Sequence, residues 1–231
     1  MNIFQKIFND ENNDDETYNE NNDDETYNNT LETNEIILSK LSQIKKNIQN
    51  DNKNIQKYKT YHVIPNIIHK DICNFIIFES EKYAETNGWT NNRHANYPTT
   101  DIPVKFIKNI CVLVDNIIKY DILPLFQKYY NISKYFLEYN DIFIVKYDSE
   151  GQNKLEKHRD GSLFSFNILL NSPTEFVGGG TIFEVNENNI LVNNTQGGTV
   201  LHSGQLLHSG NEITSGKRYL LVGFIKYLAN F

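Results

Sequence analysis

Three residues in the C-terminal half could share one metal ion. His158 and Asp160 stand two apart in His158-Arg159-Asp160, and in an extended strand residues two apart project from the same face. An imidazole and a carboxylate so placed can converge on one cation. His208 follows fifty residues after His158, at the end of LHSGQLLH. Two histidines and one carboxylate that leave positions open form the facial ligand set of non-haem Fe(II) centres, with room for a bidentate ligand and O2. Neither part is specific alone, since His-x-Asp arises by chance and a lone histidine is more often structural. His202, six residues before His208, is the rival for the second imidazole.

A fourth residue belongs with these. Arg218 sits in the run KRYLLVGFIKY, where strand alternation puts it on one face with Leu220, Val222 and Phe224. That face is expected to point inward and Lys217 outward to solvent. A guanidinium in an apolar interior is costly unless it meets an anion, and the fitting partner is a carboxylate that the protein does not itself supply. A surface arginine on an edge strand is the plainer alternative. Arginine is scarce in this chain, confined to Arg93, Arg159 and Arg218, which makes each one worth explaining.

The elements that must position these groups are short strands. DIFIVKY, LFSFNILL, GGGTIFEV, GGTVLH and KRYLLVGFIKY, all beyond Asn140, are β-branched and aromatic runs separated by Gly, Asn and Ser, the texture of a sandwich or barrel. Gly178, Gly179 and Gly180 precede a strand and not a helix, so a tight turn or bulge is expected there and not a phosphate cradle. Helices are expected first. NIIHKDICNFIIFESEKYAETNGW reads as an amphipathic helix after Pro65, with Ile72, Phe75, Ile76 and Tyr83 on its apolar face and Gly88 as its stop. A second helix is expected over 104–130, interrupted at Pro124. Residues 93–104 lack periodicity and read as an ordered loop, which with Trp89 would line an entrance.

Residues 1–30 carry nine Asp/Glu against one Lys, whereas the other 201 residues carry 21 Lys/Arg against 20 Asp/Glu. The net charge of -7 therefore belongs to the N-terminal segment. ENNDDETYN occurs there twice in succession, at 11–19 and 20–28. With almost no aliphatic side chains this repeat cannot offset the entropy of ordering, so 1–30 is expected to be a disordered acidic tail. Ile37, Leu41, Ile44, Ile48 and Ile55 mark a narrow helical stripe over 31–57, so 31–60 is expected to be a polar amphipathic helix or linker, and 61–231 the folded domain. Two cysteines, Cys73 and Cys111, make no disulfide framework. No secretory leader and no apolar run near the ~20 residues of a membrane span is evident, which makes cytoplasmic the default expectation. Oligomeric state is open, including assembly through the 31–57 helix.

With these residues in hand, the chain resembles the 2-oxoglutarate/Fe(II)-dependent dioxygenases, in particular their prolyl 4-hydroxylase-like branch. KYDSEGQNKLEKHRDGSLFSFNILLN, FVGGGTIFE and GGTVLHSGQLLHSGNEITSGKRYLLVGF follow the family order: an aromatic-bearing strand, His-x-Asp, a strand ending Leu-Asn, a glycine-rich turn, a later histidine and a basic residue about ten positions on. The match is strong over about 140–227 and extends more weakly to about residue 61. It implies an α+β, mainly β architecture: a double-stranded β-helix (jelly-roll) core with N-terminal flanking helices. It implies His158, Asp160 and His208 as iron ligands, since only His208 has the family spacing to the basic residue. Arg218 would bind the distal carboxylate of 2-oxoglutarate through a charge-assisted pair. Tyr147 matches a tyrosine that hydrogen-bonds the cosubstrate, and an ordinary strand aromatic is the equal alternative. His202 would orient the strand or hydrogen-bond near the site. Leu169 departs from the second cosubstrate tyrosine of some oxygen-sensing relatives.

The activity so implied is hydroxylation of a C–H bond with Fe(II), 2-oxoglutarate and O2, releasing succinate and CO2, with L-ascorbate often needed. A peptidyl prolyl or lysyl substrate is expected from the branch resembled. A small molecule or a nucleobase remains the alternative within the same chemistry. Nucleic acid is disfavoured because nucleobase-acting relatives place a second arginine six residues past the anchor, where this chain has Phe224, and because no Arg-rich patch is present. A non-catalytic binding module on the same fold is the alternative of another class.

Overall fold

A computed structural model describes residues 60–94 and 96–228, together with Ser39. The acidic repeat tail and the 31–57 stripe lie outside the described residues. Eleven strands and three α-helices are seen among those described.

The strands form two antiparallel sheets. The major sheet runs β1-β9-β5-β11-β3-β2, where β1 is Tyr61–Ile64, β9 Thr199–Ser203, β5 Phe164–Leu169, β11 Ile213–Tyr227, β3 Leu137–Asp148 and β2 Asp101–Pro103. A further strand, β6 (Phe176–Gly178), pairs with the start of β11. The minor sheet runs β4-β10-β7-β8, being Leu155–His158, His208–Gly210, Thr181–Val185 and Asn188–Val192. Together they make the double-stranded β-helix that the family resemblance implies, one form of the sandwich or barrel expected from the short, spaced strands.

The helices cover one face of the major sheet. α1 (Lys70–Asn87) begins where the His69 side chain accepts from the Asp71 N–H and ends at Gly88, whose φ of 74° is left-handed backbone that glycine adopts without strain. Cys73 and Ile76 are fully buried, but Phe75 is 42% exposed, so the expected apolar face is rotated away from Phe75. The helix expected over 104–130 with an interruption at Pro124 is resolved into pieces: a 3-10 turn (Val104–Phe106), α2 (Lys108–Ile117), a π turn (Ile118–Ile122) and α3 (Leu123–Tyr130). Pro124 has no N–H for the carbonyl one turn back and its ring crowds that carbonyl. The chain widens into the π turn just before it, so the irregularity falls ahead of the proline.

Alternation on the central strands divides the interior. Leu221 and Ile225 of β11 and Phe164, Phe166 and Ile168 of β5 pack with Ile110, Val114, Ile118 and Phe126 of the helical layer. Arg218, Leu220, Val222 and Phe224 of β11, with Ser165 and Asn167 of β5, face the cavity between the sheets. Gly223 lies where a Cβ would stand 2.3 Å from the Phe166 ring, which explains a glycine in the middle of a central strand.

One strand, β2, comes from a segment without strand periodicity. β2 pairs Asp101, Ile102 and Pro103 with Val145, Ile144 and Phe143, inside the stretch read as a loop. Pro103 is tolerated because β2 is an edge strand. Among the described residues no helix is long and apolar enough to cross a membrane.

Candidate metal and cosubstrate site

His158 ends β4 and His208 begins β10, and the register places the two directly opposite each other. Their rings are 4.3 Å apart. Asp160 lies in the turn after β4, where its backbone N–H donates to the Gly204 carbonyl at 2.9 Å. Its Oδ1 is 3.4 Å from His158 Nε2 and its Oδ2 is 3.7 Å from His208 Nε2. One donor atom from each of the three falls within 4.8 Å of the others, and all three side chains are buried.

Hydrogen bonds fix which atoms are free to bind. His158 Nδ1 lies 2.7 Å from the Glu156 carbonyl and His208 Nδ1 lies 2.8 Å from the Leu206 carbonyl. A carbonyl can only accept, so each Nδ1 carries the proton and each Nε2 presents a lone pair to the shared space. Ser165 Oγ donates to Asp160 Oδ2 at 2.5 Å, and Ser162 Oγ in turn reaches Ser165 Oγ at 2.9 Å.

Burial lowers the His208 pKa to about 3, helped by the neighbouring His202. Burial acts on Asp160 in the opposite sense. The close imidazoles of His158, His208 and His202 and the hydrogen bond from the Ser165 hydroxyl outweigh it, holding the carboxyl well below the usual carboxylate range. His208 is thus a neutral imidazole beside an ionised Asp160, as ligation of a divalent cation requires.

Arg218 lies on β11 opposite Tyr147 of β3. It is 4% exposed, and its Nη1 is buried without a hydrogen-bond partner. Burial depresses its pKa. Its guanidinium carbon stands 5.5 Å from the centre of the Tyr147 ring. Gly179 leaves room for its stem, since a Cβ there would lie 3.1 Å from Arg218 Cδ. The expected orientation of Lys217 holds as well, with that side chain half exposed and 3.6 Å from Asp148. Tyr147 is buried, and burial raises its phenol pKa, keeping it a neutral hydroxyl. A Cβ at Gly210 would come within 2.7 Å of that hydroxyl, so the glycine admits the tyrosine next to β10.

These groups line one cavity of about 440 Å³. The orphaned Nη1 of Arg218 calls for an anion in it, and the paired lone pairs at His158 and His208 call for a cation. A metal ion held by His158, Asp160 and His208 and a dicarboxylate anchored by Arg218 fit both demands. His202 sits beside this group, its Nε2 4.0 Å from Asp160 Oδ2 and its ring 4.5 Å from that of His208. Its Nδ1 turns to the Ser203 carbonyl at 3.1 Å.

Ser165, Asn167 and Thr181 line the cavity from the strands and were passed over by sequence reasoning, whereas His94, Asn96, Tyr97 and Thr99 line it from the 93–104 segment expected at the entrance. The signal for Ser165 and Asn167 was their alternation with Phe164, Phe166 and Ile168, polar groups facing inward on a strand buried on both sides. The entrance expectation is corrected for Trp89. It packs toward Tyr219 and Lys146 on the helical side of the sheet, because β2 turns the chain between Trp89 and the cavity.

No protein-family model matches the chain. It is similar to mouse procollagen-lysine,2-oxoglutarate 5-dioxygenase 2, at 33% identity over 168 residues covering 66% of this chain and 22% of that protein. It is also similar to the procollagen lysyl hydroxylase and glycosyltransferase of Acanthamoeba polyphaga mimivirus, at 38% over 107 residues, 45% of this chain and 12% of that one. The chain thus spans about a fifth or less of the length of these relatives. Among solved structures, the viral collagen prolyl hydroxylase of Paramecium Bursaria Chlorella virus-1, in its 2OG complex, superposes with a TM-score of 0.53 at 18% identity, covering 71% of this chain and 94% of that one. A Pseudomonas putida prolyl-4-hydroxylase gives 0.52 at 13% identity, covering 73% and 93%. The fold is that of the 2OG-Fe(II) oxygenases. By sequence and fold together, the chain belongs to the 2-oxoglutarate/Fe(II)-dependent dioxygenase superfamily.

Proposed function

We propose that this domain is a non-haem Fe(II)- and 2-oxoglutarate-dependent dioxygenase that hydroxylates a C–H bond of a peptidyl prolyl or lysyl residue. The observation that carries this reading is the pairing, in one cavity, of a preset two-histidine, one-carboxylate donor set with a buried arginine whose Nη1 lacks a partner. The names of its relatives, procollagen-lysine dioxygenases and a viral collagen prolyl hydroxylase, support a peptide as the substrate class.

In this reading His158, Asp160 and His208 hold the metal, and Arg218 holds the far carboxylate of 2-oxoglutarate. Bound there, metal and cosubstrate supply an oxidant from O2, with succinate, CO2 and a hydroxylated product as the outcome. The chain's own residues bind and orient. The Glu156 and Leu206 carbonyls keep both imidazoles in the ligating tautomer, and Ser165 keeps Asp160 turned toward them. Tyr147 offers a neutral hydroxyl beside Arg218. Leu220, Val222, Phe143 and Phe224 exclude water around the cosubstrate position.

The test measures succinate release from 2-oxoglutarate with Fe(II) and a +16 Da product on proline- and lysine-containing peptides. His208→Ala and Asp160→Ala should abolish both. Wild-type protein that binds no Fe(II) and releases no succinate would refute the reading.

A further inference from the structure

Two of the three arginines have partners of a definite kind. Arg218 is assigned to the cosubstrate. Arg93 is consumed by Asp101 and Asp141, with Nη1 to Asp101 at 2.5 Å and Nη2 to both Asp141 oxygens at 2.8 and 2.7 Å. Arg159 is different. It is exposed, it lines the mouth of the cavity between His158 and Asp160, and among the described residues no carboxylate pairs with it. The nearby lysines do have carboxylates: Lys154 lies 2.8 Å from Glu156, and Lys157 lies 2.8 Å from Glu184.

Arg159 is nevertheless held in place. Its Nε donates to the Gln205 carbonyl at 3.0 Å. The turn that carries it is locked to the 203–206 segment by Asp160 N–H to Gly204 and Gly204 N–H to Leu163. A Cβ at Gly204 would stand 2.0 Å from the Ser162 carbonyl, so the two segments are in close contact. With Nε occupied, the Nη1/Nη2 edge remains free, the edge that receives a carboxylate end-on. Tyr97, 39% exposed and 4.9 Å from the His158 ring, forms an aromatic part of the same mouth.

The charges deeper in the cavity cancel in the loaded site. A divalent metal, the Asp160 carboxylate, a dicarboxylate cosubstrate and Arg218 sum to neutrality. Asp160 is the one carboxylate among the described residues that line the cavity, so no acid is left there to receive an ammonium. The net field at the mouth is that of Arg159.

We propose that Arg159 is a specificity-determining residue that receives a carboxylate of the substrate, so that the domain selects peptides carrying negative charge beside the residue to be hydroxylated. This rests on the peptide-hydroxylase reading above. The carboxylate can come from an Asp/Glu side chain or from the peptide's own C-terminus, and the test separates the two.

Matched proline- and lysine-containing peptides with Glu, Gln or Lys flanking the target, each as free acid and as amide, are titrated anaerobically into full-length protein loaded with Fe(II) and 2-oxoglutarate. Wild type should bind the anionic peptide about fivefold more tightly than its neutral isostere at low salt, fading as salt rises. Arg159→Gln should lose that preference, and Arg159→Glu should turn it toward the Lys peptide. A Glu-over-Gln difference that survives amidation assigns the side chain as the source. A difference between acid and amide alone assigns the C-terminus. Equal binding of anionic and neutral peptides by wild type, or a preference that persists in Arg159→Gln, overturns the inference and leaves the peptide-hydroxylase reading standing. Failure of every peptide to bind overturns both, while succinate release without peptide still tests the metal and cosubstrate assignments.

Discussion

His158 and His208 stand opposite each other across the β4–β10 pair, and each commits its Nδ1 proton to a carbonyl two residues back on its own segment. The same local bond made twice leaves two Nε2 lone pairs facing one space beside Asp160. The site is therefore oriented by backbone carbonyls before any metal binds, as outer-shell partners do in metalloproteins.

It follows that the ligands and their supports separate in effect. His208→Ala and Asp160→Asn should abolish Fe(II) binding. Ser165→Ala, which removes the 2.5 Å bond to Asp160 together with the contact to Ser162, should weaken it by about tenfold to a hundredfold. Anaerobic metal titration with circular dichroism as the fold control checks both. Equal metal affinity in Ser165→Ala would show that the carboxylate needs no such support.

The metal-free protein should lose stability on mild acidification. An unfolded histidine takes up a proton near pH 6.5, whereas burial holds folded His208 unprotonated down to about 3. Between those values the unfolded chain binds the extra proton, so stability falls as pH falls through that window. His202, lowered by the same burial, acts in the same direction. Asp160, whose pKa is depressed, adds a further loss only below the unfolded carboxylate value of about 4. Urea unfolding between pH 7.5 and 4 should show this slope, and His208→Gln should flatten it by about 1.4 kcal/mol per pH unit at most. Identical slopes in both proteins would place the titrating group elsewhere.

Arg218 should trade stability for function. Its buried Nη1 has no partner in the chain, and replacing a buried charge by a well-packed apolar side chain is often stabilising by about 1–4 kcal/mol. Arg218→Met should therefore raise the melting temperature of the cosubstrate-free protein. It should weaken 2-oxoglutarate binding by at least about thirtyfold and leave Fe(II) affinity nearly unchanged. A lower melting temperature would mean that the guanidinium is satisfied within the protein.

What could be read ahead of the structure follows from how local each signal is. The inward face of Arg218, Leu220, Val222 and Phe224 is a period-two statement about a single strand, and it holds in the folded chain; His158 and Asp160 converge as well, but with Asp160 in the turn beyond the end of β4. β2 escaped because three residues show no period, and its strand character comes from pairing with Phe143, Ile144 and Val145, forty or more positions away. Phe75 was misplaced because the buried face of α1 is chosen by what packs on it. The neighbours of Cys73 and Ile76 are set by the sheet and by α2, not by the helix's own sequence. The role of Arg93 was hidden for the same reason, since its second carboxylate, Asp141, belongs to β3.

That role is open to a direct test. Asp101 is fully buried, and Arg93 is the cation that meets it, while also gripping Asp141 in a two-pronged pair. The clamp ties the 93–99 segment to β2 and β3, and that segment supplies His94, Asn96, Tyr97 and Thr99 to the cavity wall. Thr99 Oγ1, which donates to Asp101 at 2.5 Å, cannot neutralise the carboxylate. Arg93→Ala leaves a buried charge without its cation and should cost about 3–5 kcal/mol. Adding Asp101→Asn removes the stranded charge and should recover part of that loss, as measured by chemical denaturation of the single and double variants. Since the wall would loosen while the metal ligands stay put, substrate KM should rise in Arg93→Ala with Fe(II) affinity unchanged. A fall in metal affinity of the same size would mean that the clamp supports the whole barrel and not the wall alone.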